Sequence, residues 1–222
     1  MNAIPLEREI EYPTSDGQPM AETLEHQQVM IDLIEGLRSR YAAEPDVWVA
    51  GNFFFCYEKG NPNAHVAPDV MVAKGIPPRY RPNYLLWEEK PPSLVIEVTS
   101  RTTRREDLGK KKSLYERIGT EEYILFDPLG DYLKPRLQGY RLERGRFQPI
   151  PLEADGSLRS QTTGLTLRPE GKRMRLLETD TGRPILWHEE LEEAFAQQRA
   201  ANRAAEERIR ALEEELNRLR GQ

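Results

Sequence analysis

One cysteine, three histidines and no long apolar run are the first limits set by this 222-residue sequence. Cys56 alone excludes an internal disulfide framework and suits a reducing compartment. It lies in the strand-like segment NFFFCYE (52–58), where a thiol packs as a small apolar group. No stretch approaches the ~18 apolar residues that span a bilayer. The opening MNAIPLEREIEYPTSDG carries acidic residues and no apolar signal core, so the expectation is a soluble, cytoplasmic protein. A net charge of -5 argues against a general coat for polyanions and leaves room for a confined basic surface. His26 and His65 stand too isolated for a zinc site, and neither a glycine-rich phosphate loop nor a nucleophile elbow occurs.

What is present suffices for one sizeable α/β domain and an appendage. A helix is expected from Ala21, because Met30, Leu33, Ile34, Leu37 and Tyr41 form one apolar stripe that extends back through His26 to Glu22. The segments 46–58 and 65–73 flank the turn KGNPNA and read as a hairpin. A proline-rich loop (74–92) leads to a buried strand, PSLVIEVTS (92–100), with Trp87 and Leu86 expected to pin the loop to the core. A second helix follows, with Thr102 or Thr103 as cap and Gly119 as stop, then a strand closed by Asp127-Pro128. Strand, helix, strand at this spacing is a crossover unit, so the sheet should be mixed: an antiparallel hairpin first, a parallel pair second. Residues 130–187 read as a β-rich elaboration.

Glu97 is the anomaly of the central strand. An unpaired carboxylate buried there costs several kcal/mol by rough expectation, so it must be paired, protonated or holding a cation. On a 100° wheel from Leu108, the second helix directs Leu114, Tyr115 and Ile118 to one arc, and Lys111 falls in its middle at about 300°. Asp107 shares that arc. Lys111 can therefore snorkel, pair with Asp107 four residues back, or face Glu97. Asp69, just after Pro68 at a strand start, suits either a turn or a ligand. Two neighbouring carboxylates with an ammonium beside them suit Mg2+, with Mn2+ as its substitute, a hard ion that keeps waters for a phosphate substrate. Such a set fits phosphodiester hydrolysis.

The order Pro68-Asp69, then Glu97-Val98-Thr99 after an apolar run, then a helix, resembles the PD-(D/E)XK nuclease superfamily. VAPDVMVAKG, LVIEVTSRTTRREDLGKKKSLYERIGTEEYILFDPLG and DGQPMAETLEHQ resemble more closely the Uma-two family of restriction-endonuclease-like proteins, over roughly residues 12–190. The resemblance implies a restriction-endonuclease-like α/β fold, a mixed β-sheet core flanked by helices, and metal ligation by Asp69, Glu97 and the Val98 carbonyl. It implies catalysis by Asp69, Glu97 and Lys111. The parent motif wants lysine where Thr99 stands; in the family that lysine has moved to the helix, the place of Lys111. Glu22 matches an acidic residue of the superfamily's first helix, or simply favours the helix dipole in the first turn.

Residues 101–112 hold six basic and two acidic side chains, a local +4 that suits phosphates, and Lys74, Arg79 and Arg81 are candidates to extend it. The expected function is a Mg2+-dependent endonuclease acting on DNA. The alternative is a catalytically weak or inactive nuclease-fold protein that serves as an assembly module. The last 35 residues (188–222) carry Leu191, Phe195, Gln198, Asn202, Ala205, Ile209, Leu212, Leu216 and Leu219 at a and d positions of a heptad frame. A coiled coil is expected there, favouring a homodimer.

Overall fold

In the computed structural model, which describes residues 11–13 and 23–221, Thr23 opens helix α1 (Leu24–Arg40) by accepting the His26 N–H on its hydroxyl at 3.2 Å. The helix thus begins three residues later than its apolar stripe suggests, because Thr23 supplies a cap. Glu22 lies outside the described residues. Val29, Met30, Leu33, Leu37 and Tyr41 are buried, as the stripe requires.

Each arm of the expected hairpin divides in two. The first becomes β1 (Val47–Ala50) and β2 (Phe55–Cys56), the second β3 (His65–Val66) and β4 (Val70–Lys74). The break has a local cause. A Cβ on Gly51 would stand 2.0 Å from the Asp69 carbonyl oxygen, and Asn52 adopts φ 52° and donates its N–H to the Pro68 carbonyl at 2.8 Å. Beyond this crossing β2 and β3 leave the main sheet and join β5 (Tyr84–Leu85) in a small sheet of order β3-β2-β5.

The central strand β6 (Leu94–Val98) pairs antiparallel with β4 and parallel with β7 (Glu122–Phe126). The link between them is helix α2, spanning residues 104–118: α-helical over Arg104–Glu106, π-helical over Asp107–Lys111 and α-helical again over Lys112–Ile118. Gly119 at φ 89° ends it in the left-handed conformation that a glycine takes without strain. Thr103 sits at its start but makes no side-chain cap; its hydroxyl accepts from the Ser100 N–H at 3.0 Å.

Residues 130–187 are more integrated than an elaboration. β8 (Leu137–Glu143) and β9 (Arg146–Pro149) extend the main sheet to the order β1-β4-β6-β7-β8-β9. β10 (Leu158–Ser160), β11 (Leu165–Glu170) and β12 (Arg173–Glu178) form a separate sheet whose Leu158, Leu165, Leu167, Met174 and Leu176 share one core with α1. That core takes Val70, Val72, Leu94, Ile96 and Val98 from one face of the main sheet; Met71, Ala73 and Val95 face a second core with Tyr115, Tyr123 and Phe55. The sequence missed this because β8 and β9 are amphipathic and polar on one face, a pattern shared by edge elaborations and sheet extensions.

Helix α3 (His188–Arg220) belongs to a second compact unit, Leu186–Gln222, distinct from Met1–Ile185. Among the described residues no helix is long and apolar enough to cross a membrane.

The Gly51 contact generates a prediction. Gly51→Ala forces backbone apart at the strand crossing and should destabilise the fold by about 1–3 kcal/mol; a urea melt identical to wild type would contradict the crossing.

Candidate active site

Strand alternation assigns the faces. On β6, Val95 points to the core beneath α2, so Glu97 does too; on β4, Met71 and Ala73 point there, and Asp69 has the same parity. The β4–β6 register pairs Val70 with Ile96, and continuing it by one residue sets Asp69 opposite Glu97. The contacts agree: the Asp69 N–H lies 3.4 Å from Glu97 Oε2, and Asp69 Oδ2 accepts the Val98 N–H at 2.7 Å. Two acidic side chains from adjacent strands therefore meet at one sheet end, just where the Gly51 crossing stops β4 from continuing.

The third component comes from α2. Lys111 Nζ donates to Glu97 Oε2 at 2.8 Å and stands 3.4 Å from Asp107 Oδ1. Pairing within the helix and pairing with the strand thus hold together. Lys110 is exposed, and Lys112 lies 3.5 Å from the centre of the Tyr140 ring, so of the three consecutive lysines the middle one enters the site. The π-helical turn widens the helix here and departs from a uniform 100° wheel, yet Leu114 and Tyr115 remain buried. Tyr123 donates its hydroxyl to the Asp107 carbonyl at 2.9 Å, tying the widened turn to β7.

Two neighbours complete the cluster. Tyr115 donates its hydroxyl to Glu97 Oε1 at 3.2 Å, and His26 Nε2 lies 3.5 Å from Asp69 Oδ1. Sequence reasoning placed His26 on the inward face of α1 but did not connect it to Asp69; the inward stripe was the available signal. Val98 contributes its N–H to Asp69, so the contact seen is made by its amide. Thr99, where the parent motif has lysine, is buried, and its Oγ1 has no hydrogen-bond partner among the described residues.

The electrostatics follow from burial. Glu97 is fully buried, and desolvation pushes its carboxyl up to about 8, with Lys111 pulling it down and Asp69 and Asp107 adding to the rise. Burial works against the Lys111 ammonium, but Glu97, Asp107 and Asp69 outweigh it, so its pKa rises. Desolvation likewise raises Asp107. Fully ionised, three carboxylates and one ammonium leave a local charge of about -2, which one divalent cation cancels. Among the described residues no group of three or more His, Cys, Asp and Glu side chains could hold a metal ion. Asp69 and Glu97 offer carboxylate oxygens, the donor type Mg2+ takes alongside water, and not the nitrogen and sulfur donors of a zinc cage.

A cleft of about 530 Å³ opens beside Lys111, lined among others by Asn63, His65, Lys110, Ser113 and Arg117. The loop cations do not add to it: Arg79 and Arg81 both pair with Glu89, Arg81 stacks on Trp48, and Lys74 binds the Thr162 carbonyl and lies over Tyr41.

Removing the ammonium gives a test with a sign. Without Lys111 the folded-state pKa of Glu97 moves further above the ordinary glutamate value. Such a group stabilises the fold below pH 4.5, and that stability is lost as pH climbs toward 8 and beyond. Lys111→Met should therefore cost about 3 kcal/mol at the alkaline end and clearly less at the acidic end. Urea denaturation at both ends of that window decides it; equal losses would count against the pairing.

No curated protein matches the chain. Among solved structures, a crystal structure described as "a putative nuclease belonging to DUF820", from Anabaena variabilis ATCC 29413, is similar at 15% identity and a TM-score of 0.47, covering 65% of this chain and 76% of that one. The model of the family described as "Uma2: Putative restriction endonuclease" matches residues 2–170, most of the sequence, and the chain belongs to that family.

Proposed function

We propose that the protein is a Mg2+-dependent endonuclease that hydrolyses DNA phosphodiester bonds at the Asp69–Glu97–Lys111 site, with Mn2+ able to replace Mg2+. One observation carries the reading: two carboxylates from adjacent strands and a lysine from the crossover helix converge at one sheet end. Asp69 and Glu97 would hold the ion, with the Val98 carbonyl as a further ligand. When bound, such an ion supplies Lewis acidity towards the phosphate and eases deprotonation of a water.

The chain's own residues do the rest. Lys111, held against Glu97, presents a permanent positive charge to the attacking water and to charge developing on the phosphate. Tyr115 fixes the Glu97 carboxylate by donating to Oε1, and His26 and the Val98 N–H orient Asp69. Lys110 and Arg117, on the cleft beside Lys111, are cations suited to the flanking phosphates. Membership in the family supports a nuclease; DNA as substrate and the metal dependence are this proposal's own.

The test is conversion of supercoiled DNA to nicked and linear forms with Mg2+ or Mn2+. Wild type should cleave, whereas Asp69→Asn, Glu97→Gln and Lys111→Ala should each lose activity by at least about 100-fold. Equal nicking by all four proteins, or no cleavage by wild type together with no thermal shift on adding Mg2+, would refute the proposal and favour the assembly-module alternative.

A further inference from the structure

Helix α3 is a single uninterrupted helix whose apolar seam lies open. Leu191, Phe195, Ile209, Leu212, Leu216 and Leu219 are each exposed, from 41% for Leu191 to 65% for Leu219, and none of the helix is buried. Six large apolar side chains on one stripe of an otherwise charged helix call for a cover. The heptad frame shows which cover the seam accepts. Phe195, Asn202, Ile209 and Leu216 occupy a positions; Leu191, Gln198, Ala205, Leu212 and Leu219 occupy d positions.

We propose that α3 pairs with α3 of a second copy as a parallel, in-register, two-stranded coiled coil. The flanking charges select that orientation. In a parallel pair each g residue meets the e residue of the next heptad on the partner helix. Here Arg208 meets Glu213 and Glu215 meets Arg220, and symmetry doubles both attractive pairs. The remaining g positions, Ala194 and Ala201, add no repulsion.

The antiparallel alternative that stacks Ile209 on Leu212 sets Glu206 against Glu213 twice, and like charges there oppose pairing. It also brings Asn202 against Leu219, burying an amide with no hydrogen-bonding group opposite it on the partner helix.

Asn202 points the same way. In register, the two Asn202 side chains face each other and can exchange Nδ2–H to Oδ1 hydrogen bonds, a device that selects two strands and one register. Within the helix Asn202 Oδ1 already accepts from Gln198 Nε2 at 2.9 Å; a carboxamide oxygen accepts two bonds, so the second remains for the partner. Ile at a beside Leu at d, at Ile209 and Leu212, is likewise the dimer pattern.

The orientation has a consequence for any activity of the body. A parallel pair begins both helices at one end, so the two bodies are tethered there, whereas the antiparallel register above would set the two helix starts about 70 Å apart, 45 residues at roughly 1.5 Å each. The pairing rests on the helix alone and stands whether or not the body cleaves DNA.

Cysteine cross-linking in the full chain tests it. Ala205→Cys and Leu219→Cys, equilibrated in a glutathione redox buffer, should each give a disulfide-linked dimer, since each residue meets its own copy only in the parallel register. The antiparallel register sets them against Leu216 and Asn202 and yields none. Cys56 is buried, so the wild-type chain is the control. Sedimentation equilibrium provides the second arm. Arg208→Glu should raise the dissociation constant about tenfold by turning two attractions into repulsions, and adding Glu213→Arg should restore it. A monomeric wild type, a failed Leu219→Cys cross-link, or a double swap that does not recover would each overturn the proposal.

Discussion

The Glu97 carboxylate, held without solvent in the central strand, is the constraint on which the rest of the body depends. A charge there is tolerable only with close partners, and each partner requires an element to deliver it. Lys111 and Tyr115 need α2 laid across that face at the right phase; Asp69 needs β4 to end beside β6. The π-helical turn, anchored by Tyr123 on β7, shows the helix adapting its winding where the site is made. An unusual helical turn at the point of greatest electrostatic demand fits the way such turns concentrate at functional sites.

The strand crossing at Gly51 is the backbone counterpart of that demand. It frees Asp69 from the ladder, so that its carboxylate bonds the Val98 N–H and meets Glu97 in place of continuing the pairing of β4. A side chain at position 51 would push against the Asp69 carbonyl itself. Packing and chemistry are therefore not separable at this corner. The same residues that end the strand aim the acid.

The appendage follows a different logic. Among the described residues its helix carries no buried side chain; in the pairing proposed for it, the apolar seam meets a second helix and the flanking charges choose the orientation. The loop cations of the body are held by internal partners. Arg79, Arg81 and Lys74, which looked available in the sequence, are tied to Glu89, Trp48, Tyr41 and Thr162, whereas Lys110 lines the cleft beside Lys111 and Arg117 lines it while lying over the Tyr57 ring. Periodicity cannot distinguish a free arginine from one stacked on a tryptophan, because both satisfy the same polar pattern.

Local rules sufficed for much of the design. The stripe on α1, the crossover unit, the anomalous Glu97 in an apolar strand and the inward direction of Lys111 are all legible from periods of 2 and 3.6 and from the expense of burying charge. What the sequence did not reveal depended on contacts between residues far apart in the chain. His26 reaching Asp69, the split of the hairpin into two sheets and the extension of the main sheet by β8 and β9 are of this kind. The sequence by itself marked much of the apolar interior and one charged residue within it, Glu97, while the burial of Glu122 and Asp127 came only with the structure. Only the tertiary structure decided which groups meet that charge, because long-range register is set by packing across the whole sheet and not by any local preference.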